Sequence, residues 1–236
     1  MRIHVLSDLH IEFGDFQYPE VDADLTILAG DIHVKRNGLK WILEAIPDRP
    51  VIYIMGNHEF YGERLPRLTE KLKDQAAGTN VHVLENDCFE LDGFRFFGAT
   101  LWTDMVGSIE AQQTMNDYKR IRHHPSYRKL RPVNTRAEHQ NSVTQLGKFL
   151  NSGDPAKSIV VTHHAPSLLS LPERRREKAR EGHQLRLHIT PRRLHQRTCS
   201  ITLDPRSHPP LSRLQDRNYQ NHRESTGVHR QPKSAI

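Results

Sequence analysis

Cysteine is almost absent from this chain: Cys88 and Cys199 are the two in 236 residues. They stand far apart and outside any Cys-x-x-Cys spacing, which argues against a disulfide framework, a zinc ribbon and an iron–sulfur cluster. A reducing, cytoplasmic setting is the expectation. Long apolar runs are missing too. Ile3–Leu6 is too short for a signal peptide and no later stretch approaches a membrane span, so a soluble chain with no membrane partner is expected. The phosphate-binding Gly-x-Gly-x-x-Gly, the loop ending Gly-Lys-Ser/Thr and the nucleophile elbow Gly-x-Ser-x-Gly are also lacking. His58-Glu59 does not begin a His-Glu-x-x-His zinc motif, because position 62 is glycine.

Acidic residues are scarce in one part only. The chain carries a formal charge of +6, but residues 1–173 hold 19 Lys and Arg against 23 Asp and Glu, whereas residues 174–236 hold 15 against 5. The second stretch has 13 Arg, 6 His and one aromatic residue, Tyr219, with apolar residues at neither helical nor strand period. The composition therefore divides the chain into a domain over 1–173 and a basic tail over 174–236. A length of 236 residues does not require a second folded domain.

Within the first part, Ile3–Ser7, Leu25–Ala29 and Val51–Met55 are short apolar runs of buried-strand length. Gly38–Ile46 has the spacing of an amphipathic helix, and Leu65–Gln75 and Asn134–Leu150 also read as helices. Val81–Leu84, Cys88–Leu91 and Phe94–Ala99 read as strands, with Asp92-Gly93 a hairpin signal between the last two. Ser158–Thr162 is a further, β-branched strand, left abruptly at Pro166. This alternation predicts an α/β fold with helices covering a sheet.

The residues that follow the strands carry chemistry: Asp8-Leu9-His10, Gly30-Asp31, Gly56-Asn57-His58-Glu59 and His163-His164. Ligands of open α/β sheets bind beyond the carboxyl ends of the strands, so four such ends can converge on one site. Taken singly each residue has an ordinary role, Asp8 as a cap, Asn57 as a turn residue, His163 as a core histidine. Taken together, carboxylates, imidazoles and an amide oxygen suit Mn²⁺, Fe or Zn²⁺, and a carboxylate such as Asp31 can bridge two ions. Asp8 and His10, two apart, are expected on one side of an extended segment.

Asp8-x-His10, Gly30-Asp31, Gly56-Asn57-His58-Glu59 and Val160-Val161-Thr162-His163-His164-Ala165-Pro166 resemble, in order, the successive motifs of the calcineurin-like metallophosphoesterases. The resemblance spans residues 1 to about 173 and implies an α/β/β/α sandwich around two divalent ions. By it, Asp8 and His10 hold the first ion, Asp31 bridges, and Asn57 and His163 hold the second, with His164 the alternative to its neighbour. His58 is implied as the catalytic group that stabilises phosphate charge or protonates the leaving oxygen, a role imidazoles suit because they titrate near neutrality. The implied nucleophile is water acidified between the ions. Mn²⁺ is the expected metal, with Fe, Zn²⁺ and Ni²⁺ compatible with the same donors. Glu59 is expected to orient His58.

Members of that family also carry Gly-His-x-His some tens of residues after the His163 motif, and this chain does not; Gly182-His183 is followed by Gln184-Leu185. The fold is therefore expected to be incomplete at its C-terminus. A slipped reading frame accounts for both this loss and the shift in composition. With permitted synonymous codons, Asp204–Pro210 read one base later spells Ile-His-Gly-His-Thr-His. The same shift is compatible with Asn-Pro-Arg-Gly from Asn221–Val228 and with Asn-Ser-Ala-Tyr from His183–His188. The frame would change near residues 174–182.

The expected function is metal-dependent hydrolysis of phosphoesters. The alternative is an impaired remnant of such an enzyme whose basic tail binds nucleic acid non-specifically through phosphates, a weaker reading because the tail lacks stacking aromatics. Substrate-discriminating contacts are expected from the insert Thr100–Arg131. In it Trp102 reads equally as site lining or core, and Lys119–His124 reads as a solvated basic face.

Overall fold

The computed structural model describes residues 1–104, 109–166 and the backbone of 200–203. In chain order the strands are β1 (Ile3–Leu6), β2 (Leu25–Ala29), β3 (Val51–Ile54), β4 (Arg64–Leu65), β5 (Val81–Leu84), β6 (Asp87–Leu91), β7 (Phe94–Ala99), β8 (Arg122–His123), β9 (Arg128–Lys129), β10 (Ser158–Thr162) and β11 (Ser200–Leu203). The helices are α1 (Asn37–Ala45), α2 (Arg67–Ala76), α3 (Ile109–Thr114), α4 (Asn116–Arg120) and α5 (Pro132–Asn151). One sheet runs β1-β2-β3-β5, all parallel; a second runs β11-β10-β7-β6; a third, small one runs β4-β8-β9.

Strand alternation explains the layering. Leu25, Ile27 and Ala29 of β2 and Ile52 and Ile54 of β3 meet Phe96, Ile159 and Val161 of the second sheet in one buried cluster. The intervening Leu28, Val51 and Tyr53 face the other way, against Leu39 and Ile42 of α1 and Leu68 and Leu72 of α2. On the far side, Phe97, Ala99 and Val160 pack on Phe149 of α5. Period-2 alternation in strands that are buried on both faces thus produces helices, sheet, sheet and helix in that order. This is the α/β/β/α sandwich. Each fully buried Ile or Leu contributes on the order of 2 kcal/mol.

The hairpin between β6 and β7 turns at Asp92 (φ 51°) and Gly93 (φ 76°), the left-handed pair its sequence predicted. The small third sheet and α4 are not legible in the apolar pattern, because elements of two to five residues are too short to show a period. The end of α4 and β8 strap the insert onto the segment after β3, through Gly62 N–H to Arg120 C=O (3.1 Å) and Arg122 N–H to Glu63 C=O (3.0 Å). Trp102 lies in the core, 4 % exposed, and stacks on the His164 ring. Among the described residues no helix is long and apolar enough to cross a membrane.

Most of the basic tail lies outside the described residues, Ser200–Leu203 apart. β11 pairs antiparallel to β10, Ser200 opposite Thr162 and Leu203 opposite Ile159. The chain therefore leaves β11 at the end of the sheet opposite His163. At roughly 3.3 Å per residue this displaces the exit from that strand end by about 10 Å.

Candidate functional site

The segments after β1, β2, β3 and β10 meet at one edge of the two sheets. Hydrogen bonds extend the β1–β2 pairing beyond the strands: Asp8 N–H to Gly30 C=O, His10 N–H to Asp31 C=O and Ile11 N–H to Ile32 C=O, each 3.0 Å. The β10 segment is tied by His163 N–H to Ala99 C=O (3.3 Å). Contrary to the extended geometry expected for them, Asp8 (φ 55°) and His10 (φ 47°) are left-handed, as is Asp31 (φ 55°). Asp and His tolerate this region better than most residues, and such strain collects at sites that surrounding bonds enforce. The Asp8 and His10 side chains do share the site, through these turns instead of through a pleat.

Asp31 sits at the centre, 2 % exposed. Its Oδ2 lies 3.8 Å from His10 Nε2 and its Oδ1 3.5 Å from His163 Nε2. Oδ1 also accepts the His58 backbone N–H at 2.9 Å. Asp8 Oδ1 stands 4.0 Å from His10 Nε2, and one donor atom from each of Asp8, His10 and Asp31 falls within 4.8 Å of the others. Burial raises the Asp8 carboxyl above its ordinary range; the His163 ring opposes that and the Asp31 charge adds to it. Two carboxylates in one desolvated pocket favour a cation.

The His163 ring is held at Nδ1 by the Ala29 carbonyl (2.9 Å), so Nδ1 carries the proton and Nε2 presents its lone pair toward Asp31. That Nε2 is buried and, among the described residues, has no hydrogen-bond partner. Such an orphan atom beside a carboxylate fits a metal ligand. His164 turns away: its Nδ1 meets the Thr100 carbonyl (2.9 Å) and its ring lies on Trp102.

Two glycines permit this closeness. A Cβ at Gly56 would collide with the Asp31 carboxylate and approach its backbone N to 2.6 Å, and one at Gly30 (φ 93°) would collide with the His163 ring. The Asn57 amide nitrogen donates to Asp117 Oδ1 (2.7 Å) and to Tyr61 Oη (3.2 Å).

Three carboxylates have roles that the motifs did not reveal. Glu12, in a 3-10 turn two residues past His10, meets His58 Nδ1 at 2.8 Å and His10 Nδ1 at 3.4 Å. The carboxylate that orients His58 is therefore Glu12, not Glu59. Glu59 is fully buried and accepts four donors: Ile32 N–H (2.8 Å) and Tyr53 O–H (3.0 Å) on Oε1, Asp31 N–H (3.1 Å) and Gly56 N–H (2.8 Å) on Oε2. It clamps the β2 and β3 turns together. Its carboxyl is raised by burial first and the Asp31 charge second, against the pull of the backbone donors. Asp117 is the third, 60 residues beyond its Asn57 partner, with nothing in the local sequence to mark it. Arg120 of the basic run lies over the Tyr61 ring (5.4 Å), which itself lies 4.4 Å from the His58 ring. A cleft of about 360 Å³ lined by Asp8, Leu9, His10, Phe13, Gly14 and Asp15 opens beside these residues.

Residues 1–196 match the family model of the calcineurin-like phosphoesterases. The chain belongs to that family, and with it to the metal-dependent hydrolases. It is 28 % identical over 197 residues, 70 % of this chain and 69 % of the other, to the uncharacterized protein L509 of Acanthamoeba polyphaga mimivirus. The fold is also similar to the phosphopantetheinyl hydrolase of Mycobacterium tuberculosis, with a TM-score of 0.53 and 17 % identity, covering 78 % of this chain and 72 % of that one.

Proposed function

We propose that this chain hydrolyses phosphoester bonds at a centre of two divalent ions, in a cytoplasmic setting. Asp8 and His10 would hold the first ion and Asn57 and His163 the second, with Asp31 shared between them. The observation that carries this reading is the Asp31 carboxylate divided between two imidazoles, His10 Nε2 at 3.8 Å and His163 Nε2 at 3.5 Å, the latter buried and without a hydrogen-bond partner among the described residues. When bound, a pair of such ions supplies Lewis acidity and water acidified to act at neutral pH. Mn²⁺ is the proposed metal, and Fe, Zn²⁺ and Ni²⁺ suit the same donors.

The chain's own groups do the rest. Glu12 engages His58 Nδ1, which leaves Nε2 as the nitrogen that passes a proton to the departing oxygen. Glu59 keeps the two turns in register, so the Asp31 and Asn57 side chains need no rearrangement when substrate arrives. Hydrolysis of p-nitrophenyl phosphate and bis(p-nitrophenyl) phosphate with added Mn²⁺ tests the reading. Activity falls to background in EDTA and by about 10²-fold or more in Asp31→Asn. Full activity in either condition refutes the two-ion centre.

The second reading is an impaired enzyme, and it rests on the absence of Gly-His-x-His from the sequence together with the exit of β11 away from the site. We attribute both to a change of reading frame near residues 174–182, which also sets the boundary between the domain over 1–173 and the basic tail. Sequencing the coding DNA from codon 160 to the stop decides it. A shifted frame around codon 204 that cannot spell Gly-His-x-His refutes the slip.

A further inference from the structure

The insert between β7 and α5 reaches back to the loop that carries Asn57 through Asp117. Asp117, in α4, is 4 % exposed, and its Oδ1 accepts from Asn57 Nδ2 at 2.7 Å and from Tyr61 O–H at 2.8 Å. The Asn57 nitrogen also donates to Tyr61 Oη at 3.2 Å. Within this triangle the chemistry of each group sets its role. The carboxylate only accepts, the tyrosine hydroxyl gives it its proton, and the amide nitrogen donates toward both oxygens.

These roles fix which way the Asn57 amide points. An asparagine offers a cation its Oδ1 and never its Nδ2, whose lone pair is delocalised, so an amide rotated by half a turn is useless as a ligand. Rotation would bring Oδ1 against the Asp117 carboxylate, oxygen to oxygen, in a pocket where Asn57 is 1 % and Asp117 4 % exposed. The triangle is held from outside by the β8 strap and by Ile121 N–H to Asp117 C=O (3.0 Å).

We infer that Asp117 is a positioning residue for the second ion, acting through Asn57. It locks the amide with Oδ1 toward the ion, and it makes the insert, otherwise a candidate for substrate contacts, part of the support of the centre. The inference rests on the two-ion reading above.

Mn²⁺ titration of the full chain, followed by the loss of the free-ion EPR signal and the appearance of a spin-coupled pair, tests it without turnover. Wild type binds two ions with a coupled spectrum. Asp117→Ala binds the first within about 3-fold of wild type and the second about 10–100-fold more weakly, with the coupled signal lost at matched Mn²⁺. Asp117→Asn, whose amide oxygen still accepts both protons, recovers the second ion to within about 5-fold. Tyr61→Phe, which keeps the ring but removes one side of the triangle, falls between them and serves if Asp117→Ala does not fold. Two ions bound at wild-type strength by Asp117→Ala, or by Tyr61→Phe where the alanine variant is unfolded, overturn the inference. So does equal loss of both ions, or an Asp117→Asn no better than alanine, which would make the charge and not the orientation responsible. A wild type that binds one ion or none overturns the two-ion reading itself, and this inference with it.

Discussion

Replacing Glu59 by glutamine changes one atom of a carboxylate that accepts four donors, two on each oxygen. Glutamine can place an oxygen on one side only. If it keeps Oε1 for Ile32 N–H and Tyr53 O–H, an NH₂ group faces Asp31 N–H and Gly56 N–H; the flipped amide abandons the other pair. Two buried donors lose their acceptor either way, at about 1–3 kcal/mol each. Part of this is returned, because the carboxyl is raised by burial and its charge no longer has to be desolvated. The net destabilisation expected is about 2–4 kcal/mol. Urea unfolding in EDTA, followed by far-UV circular dichroism, measures it, and Glu85→Gln is the control. Glu85 uses one oxygen for both of its contacts, Thr100 N–H (3.0 Å) and the Thr100 hydroxyl (2.6 Å), whose proton is shared with the Met55 carbonyl (2.8 Å), so a glutamine oxygen can keep both contacts there. A Glu59→Gln protein as stable as wild type, or a Glu85→Gln protein destabilised to the same extent, refutes the reasoning.

Glu85 also predicts a pH dependence. Burial raises its carboxyl to about 7, so the fold favours the protonated form, and its contribution is complete at low pH and is lost as pH rises through about 7. Glu85→Gln is therefore nearly neutral at pH 5 and more stable than wild type at pH 8.5 by at most about 3 kcal/mol, as read from urea midpoints at the two pH values. Gly56→Ala forces its methyl onto the Asp31 carboxylate; Mn²⁺ binding by calorimetry is expected to weaken at least about 10-fold, and unchanged affinity would contradict the close packing. Glu12→Ala frees the His58 ring, and steady-state kinetics with p-nitrophenyl phosphate should show kcat lower by about 10–100-fold with KM changed less than about 3-fold.

The types of residue that end β1, β2, β3 and β10 are written in short linear stretches, and the strands carrying them are written in apolar runs, because a strand buried on both faces can hold little else. Those features made the α/β layering and the candidate ligand residues legible in the sequence, while the two-sheet sandwich was implied by the family resemblance. The left-handed turns at Asp8 and His10 were not legible. Extended spacing predicts the same shared site, and the hydrogen bonds that enforce the turns go to Gly30 and Asp31 on another strand. Proximity in sequence likewise pointed to Glu59 as the partner of its neighbour His58, whereas the backbone turns Glu59 into the core and brings Glu12 to the ring.

By itself, then, the sequence determined the alternation of strands and helices, the polar residues placed after each strand, and the change of composition near residue 174. All of these are local properties, set by side-chain period and residue chemistry. Only the tertiary structure decided that Asp31 lies between His10 and His163, that Glu59 clamps two turns, and that Asp117 reaches Asn57 across 60 residues. Such pairings depend on where packing of the sheets brings distant backbone together, and a buried carboxylate finds its donors only after that packing has removed water as the alternative partner.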